Sequence, residues 1–319
     1  MQQLAEEGKR AIPLKKSRSH RALRRLRQDW RLYVLIFPVI VYFIVFHYVP
    51  MYGIQIAFKN FIAVDGISGD PWAGFDHFRR FFNSYYFWRS LRNTLGISLY
   101  ELAVSFPVPI ILALMLNEVR SEPFKRFVQT VTYAPHFLST VVVVGMIGLF
   151  LSPSGGLVSH LLKWFGIAPV PFMTEPGWFK SIFVWSGVWQ QMGWGSIIYL
   201  VALSGVDPQQ HEAAIMDGAN RLQRVLHVNI PAIMPTIVIL LILNMGSIMS
   251  VGFEKVYLMQ NSKNIEASDV ISTYVYQTGI LGSQYSYAAA ISLFNSVINF
   301  VLLVGVNAVA RRVNETSLW

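Results

Sequence analysis

Ionisable side chains are scarce in this sequence outside its first 31 residues, so one that falls within an apolar stretch marks a place where chemistry can occur. Glu101 is the acidic residue set well inside such a stretch. A carboxylate there can accept hydrogen bonds from a ligand's hydroxyls or relay a proton. It can equally bond to a neighbouring helix, or to backbone loosened by Pro107 and Pro109. Trp185 and Trp189 stand one helical turn apart, and so do Gln190 and Trp194. Flat indole faces with an amide suit a solute that shows C–H faces and hydroxyls. Trp also serves in interface belts and helix packing, and Gly187, Gly193 and Gly195 point to close helix contact. Asn244 with Ser247, and Ser292, Asn295 and Asn299, make polar seams that interhelical hydrogen bonds explain as well as ligand contacts do. His47 and His136 fall near the ends of apolar stretches. The chain has no cysteine, which excludes disulfides, thiolate metal sites and cysteine nucleophiles. Histidines and carboxylates do not stand at metal-ligand spacing, and no Ser/His/Asp set can be read. Neither a catalytic residue nor a metal site is expected.

The elements that must position these residues follow from composition. Of 319 residues, 54% are hydrophobic and 13% charged, against about 25% charged in soluble domains, and mean hydropathy is +0.44. Six segments approach the roughly 20 apolar residues of a membrane-spanning helix, near residues 32–52, 93–116, 131–151, 181–204, 231–251 and 287–309. The sequence thus reads as an all-α, polytopic membrane protein with six transmembrane helices. Net charge is +9, of which +7 falls in residues 1–31. That leader is too long for the charged region of a signal peptide and the apolar run after it too long for a signal core, so an uncleaved first helix is expected. With both termini in the cytoplasm, 17 of the 26 Lys and Arg lie on the inner side, as the positive-inside rule requires. The leader then sets topology and touches anionic headgroups. No nucleic-acid recognition module follows it.

Residues 53–92 carry an aromatic run from Phe75 to Trp88 which, with Arg79, Arg80 and Arg89, reads as an amphipathic helix lying at the interface. Residues 152–180 are rich in Pro and Gly and read as a turn-rich outer loop. Between the fourth and fifth spans the inner loop shows a written helix start. Asp207 can cap, Pro208 fits the first helical position, and Gln210 stands where a capping box wants Glu or Gln. The helix is expected to run to about Asp217 and stop at Gly218, the residue that most easily takes positive φ. A second short helix is expected from Asn220 to about His227, before Pro231 opens the next span. Ile215, Ala219, Leu222 and Leu226 form an apolar stripe too short to span a membrane. It can dock into a partner's groove or pack on its own protein.

Glu212-Ala213-Ala214, with Gly218 six residues and Pro231 nineteen residues after the Glu, resembles the EAA loop of importer-type ABC transporter permeases. Asp217-Gly218-Ala219 is similar to the family's pattern too, while Val228 and Ile230 are conservative departures from its Ile and Leu. The likeness covers residues from about 90 to 309. The first span, the aromatic outer loop and Asn93-Thr94 resemble the subgroup serving oligosaccharides and polysaccharide fragments.

The resemblance implies a type I ABC importer permease fold in the cell membrane. The layout is a basic cytoplasmic tail at 1–31, a first helix and aromatic loop at 32–89, and a permease core at 90–309 with the coupling loop at 205–231. A cytoplasmic C-terminus follows at 310–319. It implies that Glu212, Ala213, Ala214, Asp217, Gly218 and Pro231 couple to an ATPase; from their chemistry and position within the spans, Glu101, Trp189, Gln190, Asn244, Asn295 and Asn299 are candidates for the substrate path. The partners implied are a second permease subunit, expected to be a paralogue, two ABC ATPase subunits, an extracellular solute-binding protein and an oligosaccharide. The chain lacks the Gly-x-x-x-x-Gly-Lys-Ser/Thr phosphate loop, so no cofactor of its own is expected and ATP is left to the partners. A non-sugar solute, an ion-coupled secondary transporter and a membrane enzyme are the alternative readings. The scarcity of intramembrane acids disfavours the second, and the lack of a catalytic set disfavours the third.

Overall fold

The computed structural model describes residues 29–69, 71–314 and 317–318, so the leader's basic residues from Lys9 to Arg27 lie outside the described residues. The chain divides into two compact units, Met1–Gln55 and Ile56–Trp319. The first holds most of α1 (Trp30–Phe58), an apolar helix with a π turn at Ile44–Tyr48. Its side chains from Leu32 to Tyr48 are exposed in the single chain, and an all-apolar helix in that state needs lipid or protein around it.

The second unit contains α2 (Tyr85–Glu118), the bent pair α3 (Glu122–Phe137 and Thr140–Phe150), α5 (Arg221–Met245) and α6 (Tyr285–Arg312), with α4 (Pro176–Ser204) at its centre. Among the described residues four helices, α1, α2, α5 and α6, are long and apolar enough to cross a membrane, and α3 would make a fifth if its two arms count as one. The span expected over 131–151 is therefore not a single rod: its arms meet at 102°. Ser139 caps the second arm by accepting from the Val142 N–H, so the chain re-enters a helix in a new direction. α4 has the length, 29 residues, but its indoles, glycines and glutamines dilute its hydropathy.

The aromatic run differs from the expected surface helix. It breaks at Asn83-Ser84, where Ser84 accepts from the Tyr86 N–H at 3.1 Å. Phe81 and Phe87 are buried and meet edge to face at 5.0 Å, packed with Tyr274, Tyr287 and Ile291. Only part of the run, including Phe75, Tyr85 and Trp88, stays exposed. α2 thus begins at Tyr85.

α2 also holds the connection between α5 and α6 by polar side chains on one face. Arg89 Nε donates to Asp269 Oδ2 at 3.1 Å. Asn93 Nδ2 donates to the carbonyls of Glu266 and Asp269 at 2.7 and 3.1 Å, and Thr94 Oγ1 accepts from the Ile271 N–H. Burial pushes the Asp269 carboxyl up, against the pull of Arg89. Asn264, itself buried, donates to Met173 O and Met259 O, so the connection is closed on itself as well as on α2.

Helix α4 crosses the first arm of α3 at Gly193, where a Cβ would overlap the Thr132 carbonyl. Gly193→Ala is expected to force the two helices apart and cost about 1–3 kcal/mol, read as a lowered thermal midpoint of the detergent-purified protein. Gly148→Ala, at a helical glycine with open space around it, should leave the midpoint unchanged or raise it slightly.

Candidate functional site

Three helices converge on a cavity of about 450 Å³. From α2 come Ser98, Glu101, Leu102 and Ser105, from α4 Gln191, Trp194, Gly195 and Ile198, and from the end of α5 Asn244, followed by Ser247, Ser250 and Gly252. The first two sets repeat at steps of three and four, so each is one face of its helix. Trp194 lies flat on the His136 ring, centroids 4.4 Å apart and 2° between planes. His136 Nδ1 stands 2.9 Å from Gln191 Oε1. Asn244 Nδ2 donates to Leu240 O at 2.7 Å within its own helix.

Glu101 has a partner that sequence reasoning missed. Lys255, on the short helix Phe253–Met259, faces it beside Gly187; a Cβ at that glycine would lie 3.3 Å from Lys255 Nζ and 3.9 Å from Glu101 Oε1. Lys255 Nζ donates to Phe183 O at 2.8 Å and sits 4.7 Å from the centre of the Phe183 ring. On this connection outside the long helices, burial pushes the Lys255 ammonium down to about 8, and the Glu101 charge pulls the other way. Glu101 on the cavity wall therefore has a cation acting on it. No spacing in the sequence links residues so far apart.

Of the six candidates for the substrate path, Glu101 and Asn244 line the cavity and the other four do not. Gln190 Nε2 donates to Leu138 O at 3.0 Å, at the bend of α3. Asn299 Oδ1 accepts from the Met249 N–H at 2.9 Å and its Nδ2 donates to Ser250 Oγ at 3.1 Å, where the chain leaves α5. Asn295 keeps a buried Oδ1 without a partner among the described residues. Trp189 is exposed; its neighbour Trp185 donates from Nε1 to the Tyr100 hydroxyl at 3.0 Å. The cavity takes Gln191 instead of Gln190. One step along a helix is 100° of rotation, and the phase of Gln191 with Trp194 and Ile198 was the available signal.

The loop after α4 is built by local bonds. Asp207 Oδ1 accepts from the Gln209 N–H at 2.9 Å and the helix runs Pro208–Met216. At its end the Gly218 N–H reaches Ile215 O and the Ala219 N–H reaches Ala214 O, with Gly218 at φ +80°, which is a Schellman turn. The capping box falls later than expected, between Asn220 and Gln223. The second helix does not stop at His227. It runs through a π turn, Val225–Asn229, into α5, so Pro231 lies inside a continuous helix; the wider turn accommodates the missing N–H of that proline. Glu212, Ala213, Asp217 and Gly218 are exposed and Ala214 is half-buried. Ile215, Met216, Leu222 and Leu226 are exposed beside them, and a depression of about 270 Å³ lies between Ala214, Gly218, Gln223 and His227.

Residues 105–315 match the family described as binding-protein-dependent transport system inner membrane component. The chain is similar to protein LplB of Bacillus subtilis (strain 168), 43% identical over 92% of each chain. It is also similar to the polygalacturonan/rhamnogalacturonan transport system permease protein YteP of the same organism, 42% identical over 97% of this chain and 96% of that one. A chain in the crystal structure of a bacterial alginate ABC transporter, in complex with a periplasmic protein bound to alginate pentasaccharide, superposes with a TM-score of 0.86. It is 41% identical and covers 92% of this chain and 99% of that one.

Replacing the amides at the breaks separates support from lining. Gln190→Leu strands the Leu138 carbonyl and Asn299→Leu strands the Met249 N–H. Each is expected to cost about 1–3 kcal/mol, seen as a lowered thermal midpoint.

Proposed function

Because the chain belongs to the family of binding-protein-dependent transport system inner membrane components, we propose that it is the membrane-spanning subunit of an ATP-driven ABC importer that carries an oligosaccharide. The observation that carries the coupling half of this reading is the exposed helix Pro208–Met216 with its Schellman turn at Gly218. Small residues on it permit close approach, and Glu212 offers a carboxylate for charge-assisted bonds. The sugar half rests on the likeness to the permeases of polysaccharide importers and on a cavity wall of hydroxyls, amides and an indole face.

The membrane protein spans the bilayer six times, α3 and α4 included, with both termini in the cytoplasm. Residues 1–31 form the basic tail, residues 32–89 the first helix and aromatic segment, residues 90–309 the core, and residues 310–319 the inner end. Glu212, Ala213, Ala214, Asp217 and Gly218 seat in a cleft on one of two separate ATPase subunits, which bind the ATP, and Pro231 keeps the following helix in register. A second permease subunit, a paralogue, completes the path, and an extracellular solute-binding protein delivers the sugar.

The mechanism follows from which helices flank the loop. α4 carries Gln191 and Trp194 on one wall of the cavity, about 20 Å above Ser204 at 1.5 Å per residue. α5 begins at Arg221 and carries Asn244 on another wall. A displacement of the loop is thus passed along two rigid rods to two walls.

Two measurements test the proposal. Uptake by membrane vesicles containing the assembled complex should survive collapse of ion gradients and stop on ATP depletion; the reverse pattern assigns it to ion-coupled transport. Gly218→Leu, which places a bulky side chain at positive φ, should insert in the membrane at the normal level and abolish ATP-driven uptake. Normal uptake by a well-expressed variant removes the coupling role.

A further inference from the structure

One face of α4 continues beyond the cavity. Lys180, Gly187, Gln191 and Trp194 follow one another at steps of seven, four and three, so they lie in one stripe. Lys180 sits about 16 Å from Gln191 at 1.5 Å per residue, at the end of α4 remote from the coupling loop. Its ammonium lies against the bare face of Gly96 on α2, where a Cβ would stand 2.7 Å from Nζ. Arg92, one turn earlier on α2, is the charge that acts on it.

Nearby, Arg89 is answered by Asp269 and Arg79 by Asp76. Among the described residues no carboxylate pairs with Lys180 or Arg92. Two like charges held together, one of them half-buried against a helix, repel one another. A ligand carboxylate between them would remove that repulsion, with the planar guanidinium supplying a two-pronged contact and the ammonium a point charge. Further along the stripe Glu101 lines the cavity, and the Lys255 charge acts on it from nearby.

Building on the oligosaccharide reading, we propose that Lys180 and Arg92 form a cationic entrance to the path, and that the oligosaccharide it admits carries carboxylates, as a chain of uronic acid units does.

The test uses the complete complex with its binding protein, in vesicles of phosphatidylcholine alone and of phosphatidylcholine with phosphatidylglycerol. ATP-driven uptake of trigalacturonate and of neutral galactotriose is measured in each. The Lys180→Gln/Arg92→Gln double variant should lower the ratio of kcat/KM for the acidic over the neutral sugar by about tenfold or more in both lipids, and Arg92→Lys should keep most of the ratio. Equal loss for both sugars overturns the inference in favour of a structural role. A change confined to vesicles with phosphatidylglycerol overturns it in favour of a lipid headgroup. An unmodified complex that takes up galactotriose but not trigalacturonate overturns it while leaving the oligosaccharide reading intact; uptake of neither sugar overturns both.

Discussion

A chain that leaves helical geometry inside an apolar layer strands its own N–H and C=O groups, and nothing in lipid will bond to them. This protein leaves helical geometry beside its cavity at two places, the bend of α3 at Leu138 and the exit from α5 at Met249 and Ser250. Each gap is closed by an amide from another helix, Gln190 in the first case and Asn299 in the second. With those bonds made, α3 can turn through 102° and α5 can stop short, so that Ser247, Ser250 and Gly252 open onto the cavity. The cavity is thus a product of backbone satisfaction before it is a product of its lining.

The same economy governs the connection between α5 and α6. Asn93, Thr94 and Asn264 spend their hydrogen-bonding groups on the main chain, and Asp269 is held by Arg89. A segment without long helices is thereby made rigid enough to present Lys255 to Glu101. Polar residues here act mostly as masonry, and a minority face the space where a solute could pass.

That division explains what could be read in advance. The loop from Asp207 to Gly218 was legible because its cap, its proline and its terminal glycine act on neighbours within a few residues. The apolar helices were legible from composition. What was not legible depends on angle and distance. Gln190 and Gln191 are adjacent and chemically identical, yet helical phase sends one to a carbonyl and the other to the cavity. Glu101 looked isolated because its cation lies far along the chain. The aromatic run from Phe75 to Trp88 suggested an interface helix, but Tyr274, Tyr287 and Ile291, brought in by α6 and its approach, buried Phe81 and Phe87. Continuity through Pro231 was hidden for a different reason: a π turn lets a helix pass a residue that ordinarily marks its start.

The segment from Asp207 to Gln223 closes its helix ends with its own residues. Its first cap, its Schellman turn and its capping box are all made between its own residues, while its flanks join two long rods directly. Such a piece behaves as a cassette. Its exposed face can be rewritten without disturbing the walls of the cavity, and those walls can change while the face keeps its shape.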